Sequence, residues 1–243
     1  MSHNLELKEG AFVISDAHYS HRRPQLLNFL QDIYSDRFSP SQLIFMGDIF
    51  DTLFGEVPYT HKINSKIILI IKQISLKIEV IYLEGNHDFN LLKIFADAKV
   101  FSIKQQPVAM RYKNKKILLA HGDIESPLLY KAYTGFVRNT FVTSFINLVD
   151  LISGHKIINK LDKYLGKKED CKEFVGFKEF IEKRLASKYT CDYFIEGHFH
   201  QNESLKLENF IYINLAAFAC NQRYFIVKSF KDVKLLEEIS YKK

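Results

Sequence analysis

The stretch GAFVISDAHYSHRR, residues 10–23, sets an apolar run, Ala11 to Ile14, against Asp16 and His18. A short apolar run bounded by glycine and polar residues reads as a buried strand. In an open α/β sheet, ligands bind beyond the carboxyl ends of the strands, where Asp16 and His18 stand. The pattern recurs in QLIFMGD (42–48), EVIYLEGNHD (79–88), KKILLAHGD (115–123) and CDYFIEGHFH (191–200). An aspartate after a strand is ordinarily a turn residue or helix cap. A lone histidine on an apolar strand is ordinarily a satisfied core residue. Five strand ends rich in Asp, Asn and His are better explained by one shared site, with glycines at 47, 85, 122 and 197 bending the backbone beside it.

Between these runs the sequence alternates. Residues 24–35 and 60–77 have helical spacing, and strands at 209–216 and 223–230 follow with no intervening helix. Strand–helix alternation in the first half gives an α/β fold, with antiparallel strands added near the C-terminus. Residues 124–189 break the rhythm with a helical, Phe- and Leu-rich pattern. The expected organisation is a core of residues 1–123 and 190–243 split by a helical insertion, or lid, at 124–189.

The 243 residues suit one domain carrying such an insertion. Hydrophobic content of 47% and charged content of 26% exclude general disorder. The net charge is +6, and residues 124–188 carry twelve Lys and Arg against eight Asp and Glu. A basic balance suits an anionic partner: a phosphate, a nucleic acid or an acidic membrane surface. Three cysteines without CxxC spacing are expected as reduced thiols in a reducing compartment. The polar N-terminus shows no signal peptide, and no apolar run reaches about 18 residues. The expectation is a cytoplasmic protein that touches a membrane surface.

Carboxylate and imidazole donors suit Mn²⁺, Fe²⁺ and Zn²⁺. A pair of ions activates water and neutralises a phosphoryl group, and a carboxylate such as Asp48 can bridge the two. The ordered blocks Asp16-Ala17-His18, Gly47-Asp48, Gly85-Asn86-His87-Asp88, His121-Gly122-Asp123 and Gly197-His198-Phe199-His200 resemble the calcineurin-like metallophosphoesterase superfamily. The resemblance implies a four-layer αββα sandwich and two divalent ions, Mn²⁺ foremost. Asp16, His18, Asp48 and His200 would hold one, and Asp48, Asn86, His121 and His198 the other. It also implies catalytic roles for Asn86 and His87, His87 donating a proton to the leaving oxygen or holding a non-bridging one. Asp88 would orient a histidine, or cap a helix at FNLLKIF (89–95).

The helical segment is similar in position to the lid of bacterial UDP-2,3-diacylglucosamine diphosphatases, a lipid A branch of this superfamily. That branch implies cleavage of a sugar-nucleotide lipid to UMP and 2,3-diacylglucosamine 1-phosphate. Its best-known members carry Arg where this chain has His87. Phe136, Phe141, Phe145, Leu148, Leu151 and Ile152 form an apolar stretch fit for acyl chains, unless they are the lid's own packing face. Tyr130, Arg138, Lys160, Lys163 and Lys167 are the candidate substrate contacts. The alternative substrate is a soluble nucleotide or phosphoprotein. The basic residues are scattered among Phe and Leu, which argues against nucleic acid.

Overall fold

A computed structural model describes residues 5–185, 187–228 and 235–241. In chain order the elements are β1 (Leu5–Glu6), β2 (Phe12–Ile14), α1 (Gln25–Tyr34), β3 (Gln42–Phe45), β4 (Leu53–Phe54), α2 (Pro58–Ile63), α3 (Ser65–Ser75), β5 (Glu79–Leu83), β6 (Asp88–Phe89), β7 (Lys99–Phe101), β8 (Val108–Tyr112) and β9 (Lys115–Ala120). Four helices follow: α4 (Leu128–Val137), α5 (Thr140–Ile152), α6 (Lys156–Leu165) and α7 (Phe177–Leu185). The chain continues through β10 (Tyr193–Glu196), β11 (Glu203–Lys206), β12 (Ile211–Asn214), α8 (Phe218–Asn221), β13 (Arg223–Val227) and β14 (Leu236–Ser240).

Two six-stranded sheets stack face to face. One runs β14-β13-β2-β3-β5-β7 and the other β1-β8-β9-β10-β12-β11, while β4 and β6 pair separately. The central strands β2, β3 and β5 are mutually parallel, as are β9, β10 and β12. These strands are buried on both faces, which explains why they read as unbroken apolar runs. Successive residues alternate between layers. Phe12, Ile14, Leu43, Phe45 and Tyr82 pack against α1 and α3 through Leu26, Phe29, Leu30, Ile67 and Ile71. Val13, Ile44, Ile81 and Leu83 meet Met110, Ile117, Leu119 and Ile195 between the sheets. Leu118, Ala120, Phe194 and Tyr212 face Phe177, Ile181 and Leu185 of α7. The order is helix, sheet, sheet, helix.

Several expectations change. The helix expected over 60–77 is two helices, because the Asn64 side chain at their junction donates to the carbonyls of Thr52 and Thr60 at 2.9 Å each. FNLLKIF is not a helix; Asp88 and Phe89 pair with Leu53 and Phe54 as strands. Beyond β10, β12 is parallel to it, while β11 and β13 make the antiparallel additions. The short helix α8 separates β12 from β13, where none was expected. Ser229 and Phe230 of the strand expected over 223–230 lie outside the described residues. The reduced-thiol expectation is corrected too. The fold brings Cys171 and Cys220, 49 residues apart in sequence, to a Cα–Cα distance of 5.8 Å, where they form a disulfide. Cys191 is the free cysteine.

The four-helix segment is docked from below by the opening stretch. Arg22 reaches Asp162 of α6 at 2.8 Å, and Arg23 pairs with Asp170 at 2.6 Å. At the α5–α6 corner, the buried Asp150 carboxylate accepts the N–H groups of Ile157 and Ile158 and the Nδ1–H of His155. An acceptor at a helix N-terminus satisfies donors that the helix itself leaves unpaired.

Candidate metal centre

The carboxyl ends of β2, β3 and β5 from one sheet and β9 and β10 from the other meet at one rim, and their loops carry the strand-end residues. Asp16, His18 and His200 converge there, as do Asp48, His121 and His198, and His18 is also grouped with Asp51 and His87. His200 Nε2 lies 3.2 Å from Asp16 Oδ1, and His121 Nε2 lies 3.4 Å from Asp48 Oδ2 and 3.2 Å from Asn86 Oδ1. All seven residues of the expected ligand set are at this rim.

The backbone is bent to bring them there. Asp16, His18, Asp48, His198 and His200 all have left-handed φ, between 45° and 62°. Such conformations cost about 1–3 kcal/mol each in a non-glycine residue and persist where the surroundings over-determine them. Gly47 shares the left-handed region at φ 90°, and a methyl group there would overlap the His121 ring. At Gly197 a methyl group would collide with Ser15 and the Asp16 carboxylate.

Outer partners fix each donor atom. His121 Nδ1 lies 3.0 Å from the Met46 carbonyl, and His200 Nδ1 hydrogen-bonds the Asp170 carbonyl. A carbonyl only accepts, so in each ring Nδ1 carries a proton, and the ring presents a lone pair at Nε2 once that nitrogen gives up its own proton, as a cation would require. Asp16 accepts the His198 N–H through both oxygens, at 3.1 and 2.9 Å, and the Ser15 hydroxyl. Asp48 Oδ1 accepts the His87 N–H at 2.8 Å.

Protonation follows from crowding. Burial pushes Asp16 up, yet His200 outweighs it and the carboxyl sits at about 2. Asp48 is driven well below the carboxylate range, burial being overcome by His121, His87 and His18. His121 is pushed well above its usual value, and His200 to about 9, in each case because a facing aspartate overcomes burial. Burial and the charge of His121 take His198 down to about 4. Buried oxygen and nitrogen acceptors therefore converge with only protons on histidines to balance them, and Nδ1 of His18 has no hydrogen-bond partner. This donor set fits divalent cations of the Mn²⁺, Fe²⁺ or Zn²⁺ kind.

Beside the rim lies a cavity of about 430 Å³ whose walls include Asp51, Asn86 and His87. Phe54, Phe89, Tyr130, Tyr133, Val137, Leu161, Tyr164 and Leu165 supply apolar surface, and Arg138 and Lys168 supply charge. Of the expected substrate contacts, Tyr130 and Arg138 are among the lining residues. Lys160, Lys163 and Lys167 are exposed outside the cavity walls, and Lys168 is the lysine that lines them. Arg138 is tied to the Gly85 carbonyl and the Asp123 carboxylate, both at 2.9 Å. Phe136, Phe141, Phe145, Leu148, Leu151 and Ile152 line neither the cavity nor a lid core; most are strongly exposed, Phe141 at 85%.

Asp51 and Arg184, for which the sequence carries no expectation, support the site, and Asp88 does so in a way that differs from its expected roles. Asp51, three residues after Asp48, faces His18 Nδ1 at 3.4 Å and offers its carbonyl to His87 Nδ1 at 3.0 Å. Asp88 neither orients a histidine nor caps a helix. Its carboxylate accepts N–H groups from Asp48, Ile49, Phe50 and Gly85 and the Tyr82 hydroxyl. Burial and the neighbouring Asp48 raise it to about 7. Arg184 of α7 donates to the Gly122 carbonyl at 2.8 Å and pairs with buried Glu196, bracing two of the site's loops.

Comparison with known proteins identifies the family. The family model for calcineurin-like phosphoesterases matches residues 11–202. A UDP-2,3-diacylglucosamine hydrolase of Psychromonas ingrahamii is 25% identical over 195 residues, 77% of this chain and 79% of its own length. One from Blochmanniella pennsylvanica is 26% identical over 200 residues, 77% and 78% of the two chains. Among solved structures, YfcE, a phosphoesterase from E. coli, superposes with a TM-score of 0.48 at 11% identity, covering 95% of this chain and 98% of its own.

Proposed function

The chain belongs to the calcineurin-like phosphoesterase family, and from that membership we propose that it cleaves the pyrophosphate of UDP-2,3-diacylglucosamine to UMP and 2,3-diacylglucosamine 1-phosphate. It is a hydrolase of phosphate esters or anhydrides. The observation that carries the substrate is the cavity, which joins Asn86 and His87 at the metal rim to apolar walls from α4 and α6. Acyl carbons gain about 0.8 kcal/mol per CH₂ buried, so those apolar walls favour a substrate that carries acyl chains. Relatives at about 25% identity carry the name of this activity.

In this proposal Asp16, His18, Asp48 and His200 hold one Mn²⁺ and Asp48, Asn86, His121 and His198 the other. When bound, such ions supply an activated water and neutralise phosphoryl oxygens. The chain's own residues do the rest. Met46 and Asp170 hold the His121 and His200 rings through Nδ1, so that both Nε2 atoms point inward. His87 is fixed by the Asp51 carbonyl at Nδ1, and burial lowers its pKa. An arriving phosphate reverses that balance, since a nearby negative charge favours the protonated ring. His87 Nε2 then donates to a phosphoryl oxygen. The leaving group is itself a phosphate with a second pKa near 6, so it departs without needing a proton. Holding a non-bridging oxygen is accordingly the His87 role we assign. Lys168 meets a phosphate in the cavity, while Arg138 keeps the Asn86 loop in place through Gly85.

The exposed face of Phe136, Phe141, Phe145, Leu151 and Ile152 gives peripheral contact with the inner membrane, where the substrate's acyl chains reside. The nearby Lys156, Lys160 and Lys163 suit anionic head groups. The test is incubation of Mn²⁺-loaded protein with UDP-2,3-diacylglucosamine and mass spectrometry of the products. UMP and the diacylated sugar phosphate are expected at a rate well above turnover of bis(p-nitrophenyl) phosphate. Faster turnover of the soluble diester would make this a general phosphodiesterase instead.

A further inference from the structure

Among the described residues, Asp170 is the one hydrogen-bond partner of the proposed ligands that comes from the helical segment, and it is the neighbour of Cys171. Its carbonyl accepts from His200 Nδ1, and its carboxylate, 4% exposed, pairs with Arg23. Cys220, at the other end of the disulfide, sits in α8. The first two residues of that helix, Phe218 and Ala219, donate their N–H groups to the carbonyls of Ser15 at 2.9 Å and Asp16 at 3.1 Å. His200 Nε2 in turn faces Asp16. A closed ring results, running from Asp16 through Ala219, Cys220, the disulfide, Cys171, Asp170 and His200 back to Asp16.

We propose that Asp170 is a positioning residue for His200, and that the Cys171–Cys220 disulfide locks it, so that reduction weakens the cation position of Asp16, His18 and His200 selectively. This rests on the two-cation reading above. The disulfide is the covalent cross-link that joins the two chain segments of this ring. Without it, the 170 loop is held by the Arg23 pair and by Gln201, which accepts the Phe174 N–H at 2.7 Å and donates to the Lys172 carbonyl at 3.0 Å. Cys171 is exposed, so a reductant reaches the bond. A dithiol supplies two electrons and two protons and closes into its own disulfide, and Cys171 and Cys220 become thiols. The other position draws on His121, fixed by Met46 within the core, and among the described residues its ligands have no hydrogen-bond partner in this loop.

The experiment is a Mn²⁺ titration read by the electron paramagnetic resonance of the free ion, together with thermal melting. The samples are the oxidised chain, the chain reduced by dithiol and freed of it by anaerobic desalting, and the Cys171→Ser/Cys220→Ser variant. His200→Ala identifies the affected site, and Cys191→Ser is the control that keeps the disulfide. Arg23→Gln loosens the same loop without touching sulfur. The expected result is two bound ions in the oxidised chain and a tenfold or greater loss of affinity at the His200 site alone on reduction. Reoxidation restores it, and Arg23→Gln reproduces it. Equal affinities in both redox states overturn the lock and leave the two-cation reading standing. An equal loss at both sites alongside a lowered melting temperature also overturns it, because the bond would then be a general staple. No Mn²⁺ binding by any sample overturns the cation reading and the lock together.

Discussion

The Asp88 carboxylate accepts the backbone N–H of Asp48 at 3.0 Å, so one buried aspartate shapes the turn that presents another. Its five donors, four N–H groups and a hydroxyl, are divided between two oxygens. Asp88→Asn replaces one oxygen with an amide that faces those donors with N–H of its own. Metal affinity at the Asp48 position is expected to fall roughly 10–100-fold, the range for losing an outer partner, with the fold kept by circular dichroism. Native affinity in this variant would show that the turn holds its shape unaided.

Removal of a proposed ligand itself goes further. Asp48→Ala strips the only carboxylate assigned to both cations, and His121→Ala strips a ring faced by Asp48 and Asn86. Turnover of bis(p-nitrophenyl) phosphate is expected to drop by more than the roughly 100-fold attached to outer partners. Full activity in either soluble variant sinks the two-metal assignment.

Arg184 and Glu196 form an ion pair that is 6% and 0% exposed, and burial raises the Glu196 carboxyl although Arg184 opposes it. Breaking a buried pair by deleting one partner costs about 3–5 kcal/mol, because the remaining charge is stranded. For a chain of this size each kcal/mol is about 2–4 °C. Arg184→Met is thus expected to lower Tm by on the order of 10 °C in calorimetry, and Arg184→Met/Glu196→Gln to recover part of it. A single variant within 2 °C or so of the parent would mean that water replaces the guanidinium.

What the sequence exposes and what it hides divide along physical lines. The strands β2, β3, β5, β9 and β10 are legible because burial on both faces leaves unbroken apolar runs, each punctuated by Gly, Asp or His. The strands β1, β4 and β6, at two residues each, carry no measurable period. β8 does alternate, with Val108, Met110 and Tyr112 buried and Ala109 and Arg111 exposed, and is a readable signal. Among site residues, the ligand set is local to its strands. Asp170 acts through a backbone carbonyl, which leaves no side-chain signature. Arg184 reaches Gly122 across 62 residues, and Cys171 finds Cys220 across 49. With three cysteines, no spacing rule selects that pair. The lysine lining the cavity is chosen by the turn after α6, which separates Lys168 from Lys167 without any change of residue type.

Cys191 gives a pH test of the cysteine assignment. Half-buried, its thiol is pushed up by desolvation to about 11, against an ordinary 8.5 or so. The thiolate is the reactive form. With a raised pKa it stays scarce below pH 10, so alkylation by iodoacetamide should climb about tenfold per pH unit from 7.5 to 9.5. The unreduced chain should gain one adduct by mass. A rate that levels off near pH 9 would contradict the burial of Cys191, and three adducts without reductant would contradict the disulfide.

The exposed apolar face beyond the cavity separates membrane contact from catalysis. Phe141, Phe145 and Ile152 are 85%, 66% and 78% exposed, and none lines the cavity. A fully buried side chain of this kind is worth about 1.5–3 kcal/mol, and a bilayer surface buries each only in part. Replacing all three with serine is expected to weaken co-sedimentation with phosphatidylglycerol-containing vesicles at least tenfold. Turnover of bis(p-nitrophenyl) phosphate should not change, since no metal-rim residue is touched. The same variant should raise KM for vesicle-borne UDP-2,3-diacylglucosamine while leaving kcat near the parent value, because delivery is impaired and chemistry is not. Unchanged vesicle binding would assign this face to some other contact. A matching loss on the soluble diester would mean that the three side chains support α5 rather than meet a membrane.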